Sequence, residues 1–271
     1  MSSAAFGWFI LPVLASRVLL IARDTALSPR HGAALSLVQV AALLPIAPAL
    51  PLLPLAVAIL AANLGGAWLE RRDPARIGLY RLGALVLILL TAGFSFAPDH
   101  GLALRPQLTA AGAWLADHLL YAGWLQAHAG GRWLPVLIGA LLVVGEANIL
   151  VRLILQATGV TPRRREPEQP VDPLQTPAGL ILPPPPAGLP ATLDRGEYNA
   201  GRFIGVLERL LVYVVVVQGQ YMAIGLILAA KGFARFKELD ERDFAEYVLI
   251  GTLLSVTTAL AVGELIKSLL P

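Results

Sequence analysis

Between Ala33 and Leu69 the chain carries no charged side chain. Apolar surface on that scale must leave water, either into a protein core or into lipid. A helix crossing a bilayer needs about 20 apolar residues, because the hydrocarbon is about 30 Å thick and the rise is about 1.5 Å per residue. The run is too long for one crossing. Pro45, Pro48, Pro51 and Pro54 recur through its middle, each three residues from the next. A helix interior tolerates such a series badly, since each proline removes a donor and crowds the preceding turn. The expected arrangement is two short helices, over 33–46 and 54–70, joined at a stiff proline-rich corner. The period of three also matches one face of a polyproline II turn.

Composition extends the same constraint to the whole chain. Of 271 residues, 56% are hydrophobic and 14% charged, against about 45–50% and about 25% in ordinary soluble domains. That excludes a soluble globular protein and a wholly disordered one. With no cysteine, a disulfide framework, a thiolate metal site and a cysteine nucleophile are excluded too. The net charge of +3 fits loops rich in Lys and Arg on the cytoplasmic side of a membrane protein. No nucleic-acid partner is expected; the principal partner is the lipid bilayer.

Other candidate spans follow along the chain. Ala5 to Ala22 is interrupted by Arg17 and lacks the basic residues that precede a signal peptide's apolar stretch. Further spans are expected over 79–97, 133–156, 202–218, 221–236 and 244–269, with a break at Gly219 between the sixth and seventh. Glu70 to Arg81 reads as a charged loop. The stretch 108–128 mixes Trp114, Tyr121 and Trp124 with Asp117, His118 and His128, a composition suited to a helix lying in the membrane interface. The prolines of 159–200, among them Pro183 to Pro186, mark a semi-rigid linker.

The expected fold is therefore an all-α polytopic transmembrane helical bundle, with about eight spans and one interfacial helix. It divides into N-terminal helices (1–158), a cytoplasmic linker (159–200) and a C-terminal three-helix unit (201–271). With eight spans, the loops after the first, third, fifth and seventh share a side and collect 15 of the 21 Lys and Arg residues. That asymmetry predicts a cytoplasmic linker and both termini outside.

Ionisable side chains within spans cost at least about 2.5–3.5 kcal/mol at a helix centre, which makes each one a functional candidate. These are Arg17, Glu146, Arg152, Glu208, Arg209 and Glu264. Arg17 and Lys267 can snorkel to an interface. Glu264 is close enough to the C-terminal end to be wet. Adjacent Glu208 and Arg209 point apart on a helix, so each needs its own partner. Pairing Glu208 with Arg152, or Glu146 with Arg209, would neutralise buried charge. The expected role of these groups is structural; the alternatives are a transport or proton path, or catalysis. Gly201 and Gly205 form a small-xxx-small pair that permits close helix approach.

No catalytic or cofactor pattern appears. His31, His100, His118 and His128 lie outside the confident spans, so a pair of transmembrane haem ligands is missing. The HExxH, Walker A and GxSxG patterns are likewise missing. No cofactor or metal is expected.

Gly201-Arg202-Phe203-Ile204-Gly205, Glu208-Arg209-Leu210-Leu211, Ala229-Ala230-Lys231, Arg235-Phe236, Ala245-Glu246-Tyr247 and Ile250-Gly251-Thr252-Leu253-Leu254-Ser255 form a distinctive series. This part of the chain, roughly 140–270, resembles the C-terminal region of an uncharacterised bacterial inner-membrane family, a domain of unknown function. The resemblance implies an inner-membrane location. Two roles are expected to compete. One is a non-enzymatic scaffold, or a component that binds a cytoplasmic protein through the linker and the Lys231–Arg242 loop, with Lys231, Arg235 and Glu246 at the contact. The other is a small-solute or ion transporter that uses Glu146, Arg152, Glu208 and Arg209.

Overall fold

A computed structural model describes residues 2–20, 25–107, 110, 114, 133–157, 195–234, 236 and 242–270. Apart from residues 110 and 114, the expected interfacial helix lies outside them, as does the linker up to residue 194 and as does Arg235. The described residues are helical, with turns and one isolated bridge between Ile46 and Leu104.

Among the described residues ten α-helices follow in chain order: α1 Ser2–Val18, α2 Pro29–Ala41, α3 Leu52–Leu60, α4 Gly66–Arg72, α5 Ile77–Ser95, α6 Trp133–Val144, α7 Glu146–Ala157, α8 Arg195–Val217, α9 Met222–Ala234 and α10 Arg242–Leu269. A π-helical turn, Ala61–Gly65, fuses α3 to α4. Among the described residues four stretches are long and apolar enough to cross a membrane: Leu52–Arg72, Pro74–Ser95, Trp133–Ala157 and Ala245–Leu269. Ala5–Val18 and Met222–Ala234 are apolar but shorter. Each expected span overlaps a helix, but only four of them meet the length and hydropathy that a crossing requires.

Local chemistry explains the boundaries. Ser28 caps α2 by accepting the His31 N–H, and Pro29 occupies the first helical position, where no donor is needed. The proline corner spans the residues between α2 and α3. It is pinned by Ala47 N–H to Ala103 O (3.0 Å), Arg105 N–H to Pro45 O (2.8 Å) and Arg105 Nε to Ile46 O (3.2 Å). At the end of α8, Gly219 has φ +73°. The Gly219 N–H reaches Val216 O and the Gln220 N–H reaches Val215 O, the paired bonds of a Schellman cap. The chain then reverses into α9, as the Gly219 break predicts. Helix α8 begins at Arg195, within the segment expected to be linker.

Side-chain contacts fix the helix directions. Gly7 abuts Leu134, and Arg17 meets Glu146, so α1 runs parallel to α6–α7. Phe96 packs on Phe6 and Phe9 with ring centroids 5.7 Å apart, while Arg81 lies beside Arg17, so α5 is antiparallel to α1. The Tyr213 hydroxyl donates to Val136 O (2.8 Å) and Arg209 reaches Val143 O (3.3 Å); α8 is antiparallel to α6–α7. Gly139 and Gly251 face Ile266 and Leu155, which sets α10 antiparallel to α6–α7 and parallel to α8. In α2, Gly32 lies against Asn63 and Ala67.

Two ends result. At one stand Trp8 and Trp133, in edge contact with centroids 5.8 Å apart, together with the Gln218–Tyr221 turn. At the other stand Arg71, Arg72 and Arg76, beyond the Arg17 level. The largest core fills the space between α1, α3 and α5, around Phe9, Val13, Leu55, Ile59 and Ile88. A second core joins α6, α8 and α10 through Val143, Val212, Tyr213, Val216 and Ile266.

The close approaches in that second core occur at Gly139 and Gly263. A Cβ on Gly139 would collide with Tyr213 and Ile266, and one on Gly263 would lie 2.6 Å from Val216 Cγ1. The expected pair Gly201 and Gly205 makes no close approach among the described residues: a Cβ on Gly201 would meet nothing within 4 Å, and one on Gly205 would meet Arg209 Nη1 at 3.8 Å.

Candidate functional site

Among the described residues, the buried charged side chains gather in one layer. Arg17 leaves the last turn of α1 and is 2% exposed. Its Nε donates to Glu146 Oε1 at 2.5 Å, and its Nη2 donates to Glu146 Oε2 at 3.2 Å and to the Arg81 carbonyl at 2.7 Å. Arg81 in turn grips buried Glu70, Nε to Oε1 at 3.0 Å and Nη2 to Oε2 at 3.2 Å. Two arginines and two glutamates thus sum to zero charge in a buried cluster. Isolated buried charges are expensive; paired and fully hydrogen-bonded ones are tolerated.

The second pair also holds the chain between α1 and α2. Arg81 donates to Leu20 O and Thr25 O, each at 3.1 Å. Glu70 Oε2 accepts the Leu27 N–H at 2.9 Å, and Arg71 Nε donates to Leu27 O at 3.2 Å. One Arg–Glu pair therefore supplies hydrogen-bond partners to main-chain groups at both sides of a helix reversal.

Glu146 owes its position to a one-residue break at Gly145, which divides the expected fifth span into α6 and α7. Glu146 falls in the first turn of α7, where the helix dipole favours a negative charge. Arg209 approaches the other side of the break. Its Nε donates to Val143 O at 3.3 Å, at the carbonyl end of α6, and its Nη2 donates to Asn148 Oδ1 at 3.2 Å. A cation at a helix C-terminus and an anion at the next N-terminus are both favourable placements.

The sequence-derived residues are therefore grouped, with different partners. Glu146 takes Arg17 rather than Arg209, so Arg17 is a buried partner and not a snorkelling group. Glu208 takes Lys231 of α9 rather than Arg152. Glu208, Arg209 and Lys231 line a narrow cleft with Thr252 and Ser255 of α10. Arg152 is half-buried on α7, and Glu246 is exposed on α10. Glu264 accepts from the Tyr221 hydroxyl, which itself accepts from Lys267 Nζ at 2.7 Å.

Sequence reasoning missed Glu70 and Arg81, read as part of a charged loop, whereas they lie in α4 and α5. It also missed a buried polar chain beside them. Asn63 Nδ2 donates to Gln39 Oε1 at 2.8 Å and to Ile59 O at 3.0 Å, and Gln39 Nε2 donates to Ser16 Oγ at 3.2 Å. Asn63 lies in the π-helical turn. The available signal was modest: Gln39 and Asn63 are rare amides in an otherwise apolar run, and such groups bond across helices in membranes. Among the described residues no group of three or more His, Asp or Glu is placed to hold a metal. Comparison with known families, curated proteins and solved structures gives no match for this chain.

Proposed function

We propose that this protein is a multi-pass component of the bacterial inner membrane with a non-enzymatic role, a scaffold or partner-binding unit braced by its buried charge layer. The observation that carries this reading is the Arg17–Glu146 pair, whose charges are matched and whose donors also satisfy Arg81 O. A path for solute or protons needs charged groups that face water and can change partners. Here both ion pairs of α1–α7 are closed on each other.

In this reading α1, α2, α8 and α9 complete eight crossings with the four longer stretches. Support comes from α2: Leu27 bonds at the arginine-rich end and Ala47 at the opposite one, so the intervening segment runs from end to end. The arginine-rich end faces the cytoplasm by the positive-inside rule, and both termini lie outside. Lys231 and Glu246, with Arg235, form the contact for a cytoplasmic protein. If replacing all three leaves every co-purifying protein bound, the partner role fails.

The chain lacks cysteine, so single cysteines at Ser16, Ala147 and Ser255 give a clean test of hydration around the layer. Protection of all three from a water-soluble maleimide is expected. Labelling at two or more would replace the scaffold with the transporter reading, for which the cleft at Glu208, Lys231 and Ser255 is the supporting observation.

A further inference from the structure

Along the outer side of α3–α4, Leu53, Val57, Leu60, Leu64 and Trp68 are each more than 40% exposed. Steps of three and four residues put them on one helix face. One turn further is Arg72, whose guanidinium lies 4.0 Å above the Trp68 ring. From Leu53 to Arg72 the stripe is about 28 Å long at about 1.5 Å per residue, close to the hydrocarbon thickness of about 30 Å. Arg72 therefore stands where an apolar, outward-facing helix surface gives way to a polar end, with an aromatic ring directly below it.

The neighbouring charges reinforce that position. Arg71 is exposed, and its Nε bond to Leu27 O holds it near the start of α2, where Arg30 is also exposed. Among the described residues, the carboxylates beside Arg71 and Arg72 are engaged elsewhere. Glu70 is buried and committed to Arg81, and Asp73 pairs with Arg76 at 3.4 Å.

We propose that this edge binds an anionic phospholipid, with its phosphate received by Arg72 and attracted by the neighbouring charge of Arg71, its glycerol beside Trp68 and its chains along Leu64 and Leu60. One leaflet reaches about 15 Å, half the hydrocarbon, which matches the stripe from Arg72 down to about Leu60. Arg30 adds to the attracting field. A soluble anion would make no use of the apolar stripe, whereas a phospholipid uses both features together. The inference rests on the membrane reading above.

The test is native mass spectrometry of the full-length protein, released from detergent micelles holding equal phosphatidylglycerol and phosphatidylcholine. Wild type is expected to retain phosphatidylglycerol about tenfold over phosphatidylcholine. Each basic residue near an anionic headgroup strengthens attachment by about fivefold, so R71Q/R72Q is expected to lower phosphatidylglycerol retention at least tenfold and leave phosphatidylcholine unchanged. K267Q, at the opposite end, is expected to change neither. R72K, which keeps the charge, is expected to retain most of the preference and guards against a folding defect. Equal retention of both lipids by wild type would overturn the proposal. So would displacement by soluble glycerol phosphate at the same concentration, or a two-chain complex that R71Q/R72Q abolishes while lipid retention is unaffected. Carbonate extraction separates the two levels. A wild-type chain released by carbonate sinks the membrane reading itself; one that stays in the pellet without a lipid preference sinks this inference alone.

Discussion

Arg17 donates a hydrogen bond to the main-chain carbonyl of Arg81, 2.7 Å away. That contact links two ion pairs that would otherwise be separate, Arg17–Glu146 and Arg81–Glu70. Through it, α1, α4, α5 and α7 share one buried polar cluster. Its charges balance, so the cluster tolerates burial only as a whole, and removing any one member exposes another to the full desolvation cost.

Arg17→Met is accordingly expected to destabilise the protein by about 3–5 kcal/mol, the usual result when one partner of a buried pair is removed. The double variant Arg17→Met/Glu146→Met is expected to recover most of the loss, since an apolar pair of similar size packs without charge. Thermal unfolding in detergent checks both. A double variant no more stable than the single one would show that the charges do more than neutralise each other.

Glu70→Gln keeps the side-chain shape and removes the negative charge facing Arg81. The Leu27 amide donates to Glu70 Oε2, and a neutral amide oxygen accepts less strongly than a carboxylate. Hydrogen exchange at Leu27 is therefore expected to accelerate about tenfold or more, while amides in α10 keep their wild-type rates. Equal acceleration in α10 would point to global unfolding rather than loss of the local clamp.

Most of the apolar helices and their order were legible in the sequence because apolar run length, prolines and Gly219 act locally. The proline series forced a corner between α2 and α3, and Gly219 permitted the positive φ that ends α8. The ion pairs were not legible. Arg17 and Glu146 are 129 residues apart, and an arginine near a helix end looks the same whether it reaches lipid headgroups or a buried carboxylate. Glu70 and Arg81 sit among Arg71, Arg72, Asp73 and Arg76; the two that turn inward are selected by helix packing, not by their neighbours. The break at Gly145 was hidden for a related reason. The hydropathy of Trp133–Ala157 is continuous across it, and the break matters through Glu146 and Arg209, which come from the tertiary fold.

Gly263 offers a test of close packing between α8 and α10. Gly263→Leu would drive its Cβ against Val216 Cγ1 and Cβ, which lie 2.6 and 2.9 Å from the ideal Cβ position. Overpacking of this kind costs about 1–3 kcal/mol. Gly225→Leu, on the same C-terminal unit but with no described atom within 4 Å of the Cβ position, is expected to be neutral in the same melting experiment. Equal melting of the two variants would mean that α8 and α10 are not held in this contact.

The separation of Arg76 from Gln220 tests orientation. Arg76 belongs to the basic end, and Gln220 follows the Gly219 turn at the opposite end. Both are exposed, so cysteines there perturb little. In intact cells a membrane-impermeant maleimide is expected to label Gln220→Cys and spare Arg76→Cys, with both labelled after permeabilisation. The direction follows from the placement of basic loops on the cytoplasmic side. The reverse pattern would invert the topology and place Arg71 and Arg72 in the outer leaflet. Labelling of both in intact cells would mean that the two ends are not separated by a membrane, which removes the basis for reading the exposed apolar stripes as lipid-facing.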